Sequence, residues 1–238
     1  MPSALILIAN GTEEMEFTIV YDTLIRAGVK CTSAFIAPSD QSGNDQPQPA
    51  TAQCSRGIRI VPDVLQTQLS ETSVGEYDAI IVPGGAKGAE TMSQSPLVQT
   101  LIKGFYEQGK YVGMICAGSL AAKTSQLPRQ PLTSHPSVKK ELDEGISAII
   151  RVGAHCMTPD RLRLSRRSSG DLREANHKVL TVAHHFTDSV TVRSQTSFPS
   201  RGPGTAFPFA FALVEGLCGA QKRLEVVHPM VFPSGTPL

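Results

Sequence analysis

The stretch Ala79-Ile80-Ile81-Val82-Pro83-Gly84-Gly85 decides the fold class of this sequence. Its four consecutive apolar residues have the length of a strand, and such a run is typical of a strand covered on both faces. The proline and glycines that follow indicate a turn. Working outward, residues 4–9, 29–36 and 111–115 are predicted as further strands of the same sheet, and residues 58–61 as a short one.

Helical patterns separate the main strands. A helix is predicted from the spacing of Phe17, Val20, Tyr21 and Leu24, and it ends at Gly28. Ser95-Pro96 is predicted to begin a second helix, because serine is a common N-cap and proline a common first helical residue. Residues 117–126 and 205–217 are predicted helices, and residues 38–53 a mobile surface loop. This alternation predicts an α/β fold, a doubly wound, mostly parallel sheet with helices on both faces.

Composition limits the class of protein. The chain has 238 residues, a net charge of +1 and 40% hydrophobic residues, which indicates one globular domain and gives no argument for nucleic-acid binding. The five cysteines contain no CxxC pair, so neither a disulfide framework nor a cysteine-rich zinc site is predicted. No apolar run reaches the roughly 20 residues of a membrane span. We expect a soluble intracellular protein with free thiols.

Cys116 is the first candidate for chemistry. It lies between a predicted buried strand and a predicted helix, and the working residues of doubly wound sheets lie at the carboxyl ends of strands. A sharp turn there resembles a nucleophile elbow, and helix N-terminal amides are expected to lower the pKa of the thiol. The alternative is that Cys116 is only a small core residue, since free cysteines are often buried.

Five motifs, in order and approximate spacing, resemble one family, the DJ-1/PfpI superfamily, in the branch of the human parkinsonism-associated protein and its fungal relatives. They are Gly11-Thr12-Glu13-Glu14-Met15-Glu16, Pro83-Gly84-Gly85, Ile115-Cys116-Ala117-Gly118, Thr133-Ser134-His135-Pro136 and Ser200-Arg201-Gly202-Pro203-Gly204-Thr205. The resemblance implies a single flavodoxin-like domain over residues 1–238, a homodimer, and a cytoplasmic location, with the nucleus also open. It implies a glutathione-independent glyoxalase (D-lactate dehydratase) that needs no cofactor and no metal. A protein deglycase and a non-enzymatic oxidative-stress sensor or chaperone are the alternatives.

The resemblance also implies roles for individual residues. Cys116 corresponds to the reactive cysteine, Glu16 to the carboxylate beside it and His135 to a nearby histidine. The backbone groups that surround the thiolate and the substrate oxygen correspond to those of Gly84, Gly85 and Ala117. An arginine that approaches the site from the partner subunit corresponds to Arg56.

These roles suit a small 2-oxoaldehyde such as methylglyoxal as substrate. A thiolate would add to the aldehyde carbon, and an acid–base pair, Glu16 and His135, would move a proton between adjacent carbons through an enediol. Beside an anionic sulfur, Glu16 is expected to have a raised pKa. In contrast, Glu13 and Glu14 are interpreted as first-turn carboxylates favoured by the helix dipole. His135 has an alternative as a helix-entry residue, and Arg56 as a surface charge.

Residues 146–200 depart from the family pattern. Residues 151–178 carry a net charge of +4, which leaves −3 for the rest of the chain. One interpretation is a basic patch that binds RNA or a partner, but residues 151–178 contain no aromatic side chains for base stacking. Another is a metal site formed by His155, Cys156, His184 and His185, but their spacing matches no zinc pattern. We favour a genuine insertion or translated non-coding sequence. Within it, residues 179–183 and 189–192 are weak candidates for strands.

Overall fold

The structure is a computed structural model that describes residues 1–38, 51–128, 132–146, 179–181, 202–236 and 238. Its centre is a six-stranded parallel sheet. In their order across the sheet, the strands are β5 (Val64–Leu65), β2 (Lys30–Phe35), β1 (Ser3–Ile8), β6 (Ala79–Val82), β7 (Tyr111–Met114) and β8 (Val179–Thr181). The predicted doubly wound, flavodoxin-like α/β architecture is confirmed.

Helices cover both faces of this sheet. They are α1 (Glu14–Arg26), α2 (Ala86–Gln94), α3 (Pro96–Glu107), α4 (Leu120–Thr124), α5 (Lys139–Ile146), α6 (Ala206–Cys218) and α7 (Ala220–Val227). Alternate residues of β1 enter opposite cores: Ile6 packs with α1 and α6, whereas Leu5 packs with α3 and α4. This two-sided burial explains why the central strands are continuous apolar runs.

Ser95 and Pro96 begin α3 as predicted, because the Ser95 hydroxyl accepts a hydrogen bond from the Val98 N–H at 3.4 Å. Five of the described α-helices and strands were missed, namely α2, α5, α7, β5 and a strand at Ala52–Gln53. α2 and α7 carry few apolar residues, and β5 has only two residues, so their burial pattern is weak. The helix predicted over residues 117–126 is a 3₁₀ turn at Cys116–Ser119 followed by the short α4.

A small hairpin lies outside the main sheet. β3 (Ala52–Gln53) pairs antiparallel with β4 (Arg59–Ile60), so the predicted loop over residues 38–53 ends in a strand. The short strand predicted at 58–61 is this β4, and it joins β3 instead of the main sheet. Residues 39–50 lie outside the described residues. In the predicted insertion, the structure describes the end of α5 and β8, which corresponds to the candidate strand at 179–183.

The order of the strands in the sheet determines where the candidate site lies. From β1 the chain first extends the sheet through β2 and β5, and later returns to β6 on the other side of β1. This reversal opens a crevice at the carboxyl ends of β1 and β6, where ligands bind in doubly wound folds. The residue that follows β7 by two positions, Cys116, reaches the same edge. Among the described helices, none is long and apolar enough to span a membrane.

Candidate active site

Cys116 occupies a strained turn between β7 and the following 3₁₀ helix. Its φ angle is +59°, in a region that residues other than glycine rarely adopt, and its side chain is 7% exposed. Gly118 makes the turn possible, because an added Cβ would lie 2.7 Å from the Pro83 carbonyl oxygen and closer still to that of Val82. The structure therefore has the geometry of the predicted elbow, and strain of this kind clusters at functional sites.

Glu16 lies beneath Cys116 and is completely buried. Its Oε2 accepts a hydrogen bond from the Gly84 N–H at 2.7 Å, and Oε1 has no hydrogen-bond partner among the described residues. A Cβ on Gly84 would lie 2.6 Å from Glu16 Oε2 and 2.8 Å from Cys116 Cβ. Only glycine therefore leaves room for the carboxyl and the cysteine to share this place.

The two groups share one buried environment. Burial raises the pKa of Glu16 to about 7, against the hydrogen bonds from Cys116 and the Gly84 N–H, while the nearby Glu13 adds to the increase. Burial, the charge of Glu16 and a hydrogen bond with it raise the pKa of the Cys116 thiol to about 12. The raised pKa expected for Glu16 is confirmed in direction. The lowered pKa expected for Cys116 is wrong, because burial and a neighbouring carboxylate outweigh the amides at the turn.

Backbone N–H groups surround the sulfur. Hydrogen bonds with the Ala117 and Gly85 backbone favour the thiolate form of Cys116. Gly85 has a φ angle of +89°, and an added Cβ would come within 2.5 Å of the Glu13 nitrogen, so glycine is required there. Gly84 differs from the expectation that it would face the substrate, because its N–H already donates to Glu16.

An open cavity of about 520 Å³ lies above the sulfur. Of the predicted site residues, the lining includes Cys116, Gly85, Ala117, Arg56 and His135, whereas Glu16 and Gly84 do not line it. The structure therefore brings five of the predicted side chains or amides around one cavity and places the other two beneath its floor.

His135 is half-buried and caps a short 3₁₀ helix, Pro136–Val138. Its Nδ1 accepts a hydrogen bond from the Ser137 N–H at 3.2 Å, as in the helix-entry alternative. Nδ1 also lies 2.7 Å from the Ser137 hydroxyl, which can donate to it. With Nδ1 as the acceptor of both groups, neutral His135 carries its proton on Nε2, so the ring can offer the cavity a donor. The same loop is held by the buried Ser119 hydroxyl, which donates to the Thr133 carbonyl at 2.7 Å.

Arg56 lies on the β3–β4 hairpin, which is held against the start of α1. The Glu14 carboxylate accepts hydrogen bonds from the Arg56 N–H and the Ser55 hydroxyl, both at 2.7 Å. The Ser55 N–H also donates to the Thr12 carbonyl at 2.8 Å. Arg56 was expected to reach the cavity of a partner subunit; in the structure it lines the cavity of its own chain.

Glu13 and Glu14 were interpreted only as first-turn carboxylates that the helix dipole favours. In the structure each of them has a further role. Glu14 positions the hairpin, and Glu13 lines the cavity. Their position directly after the turn that follows β1 is the feature of the sequence that could have indicated these roles. Among the described residues no cluster of three or more His, Cys, Asp or Glu side chains could hold a metal, and the four residues weighed as a metal site lie outside them.

Comparison with known proteins gives the family. The family described as DJ-1/PfpI matches residues 2–216. The chain belongs to the DJ-1/PfpI family. It is 27% identical over 234 residues to the glutathione-independent glyoxalase DJ-1 of Schizosaccharomyces pombe, covering 98% of this chain and 100% of that protein. It is 31% identical over 230 residues to protein dj-1beta of Drosophila melanogaster, covering 96% of each.

Solved structures of these two relatives share the fold. The S. pombe DJ-1 structure gives a TM-score of 0.69 at 28% identity and covers 97% of this chain and 100% of that one. The Drosophila DJ-1beta structure gives a TM-score of 0.67 at 28% identity and covers 98% of each chain. The glutathione-independent glyoxalase DJR-1.2 of Caenorhabditis elegans is 28% identical over 229 residues, covering 96% of this chain and 95% of that protein. Glyoxalase activity is therefore named for more than one relative of this chain.

Proposed function

We propose that this chain is a glutathione-independent glyoxalase that converts methylglyoxal and water to D-lactate without a cofactor. The observation that carries the proposal is the Cys116 thiol at the base of an open cavity, with a buried carboxyl beneath it and backbone N–H groups beside it. Two relatives named as glutathione-independent glyoxalases support it. Such an enzyme uses its own thiol where other glyoxalases use glutathione, so a cysteine that faces the substrate cavity is the minimum requirement.

The first step is transfer of the Cys116 proton to Glu16. The free thiol is a poor nucleophile while Glu16 is ionised, because burial and the adjacent charge hold the pKa of the thiol at about 12. Moving the proton to Glu16 leaves one negative charge in the buried pair and shifts it onto the sulfur. The Gly85 and Ala117 backbone then stabilises that sulfur. The thiolate attacks the aldehyde carbon, and the resulting oxyanion takes a proton from solvent in the open cavity, which gives the hemithioacetal.

The Gly85 and Ala117 N–H groups have a second role once the carbon–sulfur bond forms. Negative charge then moves from the sulfur to the former aldehyde oxygen, and the same donors are positioned to stabilise it. Removing one such donor typically lowers the rate by about 10²–10³-fold. The proton on His135 Nε2 can be donated to the neighbouring carbonyl oxygen, and Arg56 supplies positive charge near the product carboxylate.

A homodimer is part of the proposal. Ile25 on α1 and Val61 beside β4 are 47% and 61% exposed, and both line a groove of about 410 Å³. Large apolar side chains that share an exposed groove are typical of interaction surfaces. We assign this groove to a second copy of the chain. The same hairpin carries Arg56, so the contact would also hold that arginine in place.

Formation of lactate in the absence of glutathione and of other small thiols tests the proposed activity. Wild-type protein should consume methylglyoxal and release lactate, whereas Cys116→Ala should not. A protein that acts only as an oxidation sensor would form no lactate and would instead gain oxygen at Cys116 in peroxide. A deglycase would release lactate from a glycated amine, so the assay omits amines.

A further inference from the structure

Glu13 is an ionisable group in the cavity that the proposed mechanism leaves unused. Its side chain is only 9% exposed, and its Oε2 is buried with no hydrogen-bond partner among the described residues. Its neighbour Glu14 differs, since both oxygens of that carboxylate accept hydrogen bonds from the β3–β4 hairpin. A carboxylate that served only the helix dipole would be solvated, so the burial of Glu13 beside the cavity calls for another explanation.

The backbone fixes Glu13 close to the reactive sulfur. The Glu13 N–H donates to the Gly84 carbonyl at 3.0 Å, and Gly85 packs directly against the Glu13 nitrogen. The preceding residue, Gly84, lies against Cys116, because an added Cβ on Gly84 would be 2.8 Å from Cys116 Cβ. Glu13 and Cys116 therefore flank the same glycine turn and line the same cavity.

The surroundings of Glu13 raise its pKa, which favours a carboxyl that can take up a proton. Burial raises the pKa of Glu13, the Met15 amide lowers it, Glu14 raises it and Arg56 lowers it. The charge of Glu13 also raises the pKa of Glu16. The raised pKa makes Glu13 a stronger proton acceptor than an exposed carboxylate, as a general base requires.

Neither Glu16 nor His135, the other two acid–base candidates, is placed to act as the base of the enediol rearrangement. Glu16 is completely buried and does not line the cavity, so it serves the sulfur and not a substrate carbon. Neutral His135 carries its proton on Nε2, because Nδ1 accepts the Ser137 N–H, and so it acts as a donor. An enediol rearrangement needs a base that reaches a carbon-bound proton.

We propose that Glu13 is this base: it removes the proton from C1 of the hemithioacetal and returns it to C2. This assignment rests on the proposed glyoxalase function. As the C1–H bond breaks, its electron pair forms the C1–C2 double bond, and the C2 oxygen takes the proton of His135 Nε2. Glu13 then protonates C2, while the C1 hydroxyl returns its proton to His135 and becomes the thioester carbonyl. C1 is oxidised and C2 is reduced, so no outside oxidant is needed, and water releases lactate and the thiol.

The test compares Glu13→Gln with wild type by rate and by stereochemistry. With methylglyoxal and no added thiol, kcat of the variant should fall about 100-fold, within the usual range for a lost acid–base group. The residual lactate, assayed with D- and L-specific lactate dehydrogenases, should approach a racemic mixture, because the proton at C2 then comes from water. Glu13→Asp, which keeps the carboxyl, should retain part of the rate and one enantiomer.

Glu90→Gln is the matched control, because it removes an exposed carboxylate from the rim of the same cavity. Its kcat and product should equal those of wild type within about twofold. If wild type forms a single enantiomer and folded Glu13→Gln forms that enantiomer with equal purity, Glu13 does not protonate C2 and the assignment is overturned. Racemic lactate from wild type would overturn it too. A wild type that forms no lactate would instead contradict the proposed function.

Discussion

The Glu16 carboxyl and the Cys116 side chain both pack against the α-carbon of Gly84. A single methyl group added to Gly84 would lie 2.6 Å from Glu16 Oε2 and 2.8 Å from Cys116 Cβ. Two acidic groups held this closely in a buried place cannot both be ionised without a large cost. The pair therefore carries at most one negative charge, and a single proton determines whether that charge lies on the carboxyl or on the sulfur.

Gly84→Ala should separate this pair. The added methyl group has no free space, so we expect loss of about 1–3 kcal/mol in the free energy of unfolding, as in overpacked cores. Lactate formation should fall at least tenfold, because the carboxyl or the cysteine must shift. Chemical denaturation and the lactate assay measure the two effects. Gly75→Ala is the control, since its added Cβ meets nothing within 4 Å; equal behaviour of the two variants would contradict the crowding described at Gly84.

Glu16→Gln should change how stability depends on pH. Folded Glu16 holds its proton up to about pH 7, whereas in the unfolded chain a glutamate loses it near pH 4.3. Between these values the folded state binds more protons, so the free energy of unfolding of wild type falls as pH rises. The stability of wild type relative to Glu16→Gln should therefore decrease by roughly 3 kcal/mol between pH 4 and pH 8.

Urea denaturation of both proteins across that pH range measures this difference. The glutamine retains an oxygen for the Gly84 N–H, so the comparison isolates the ionisation. A difference that is constant with pH, or that grows as pH rises, would show that Glu16 has an ordinary or lowered pKa in the folded protein.

Alkylation of Cys116 should also depend on Glu16. With its pKa raised to about 12, the Cys116 thiol should react slowly with iodoacetamide at pH 7.5. Glu16→Gln removes the adjacent negative charge, and we expect Cys116 to react about tenfold faster. Peptide mass spectrometry follows Cys116 and, as an internal reference, the half-buried Cys218. Fast alkylation of Cys116 in wild type, unchanged in the variant, would contradict the raised pKa.

Val61→Asp should dissociate the proposed homodimer. A charge on this exposed side chain would be buried without a partner in the contact, so we expect the variant to elute as a monomer. Light scattering after size-exclusion chromatography measures the mass. Leu224→Asp is the control, because Leu224 is exposed to a similar extent, 58%, on α7. A monomeric wild type, or a dimer that survives Val61→Asp, would contradict the assigned surface.

The strands with continuous apolar runs were predictable because burial on both faces leaves a strong signal, and β6 begins and ends where it was expected. Helix α2 was not, because it packs mostly through small residues such as Gly88 and Ala89. The β3–β4 pairing depends on contacts between segments distant in the chain, such as that of Gly11 N–H with the Gln53 carbonyl at 2.8 Å. Local patterns carry no trace of such contacts.

The candidate site also has features that the sequence predicts and features that only the fold creates. The position of Cys116 after a buried strand was readable, and family motifs identified Glu16 and His135. The electrostatics were not readable, because the pKa of a group depends on burial and on neighbours that only the fold brings together. The raised pKa of Cys116 and the cavity-facing place of Glu13 are both of this kind.

The most direct test of the central claim is lactate formation from methylglyoxal by purified protein freed of glutathione and other thiols, with Cys116→Ala and Cys218→Ala measured alongside. Cys218 is a half-buried thiol that does not line the cavity, so its removal should leave the rate unchanged. Circular dichroism should show that both variants are folded. We expect D-lactate from wild type and from Cys218→Ala, and no lactate above the uncatalysed rate from Cys116→Ala. Lactate formation by folded Cys116→Ala at the wild-type rate would contradict this claim.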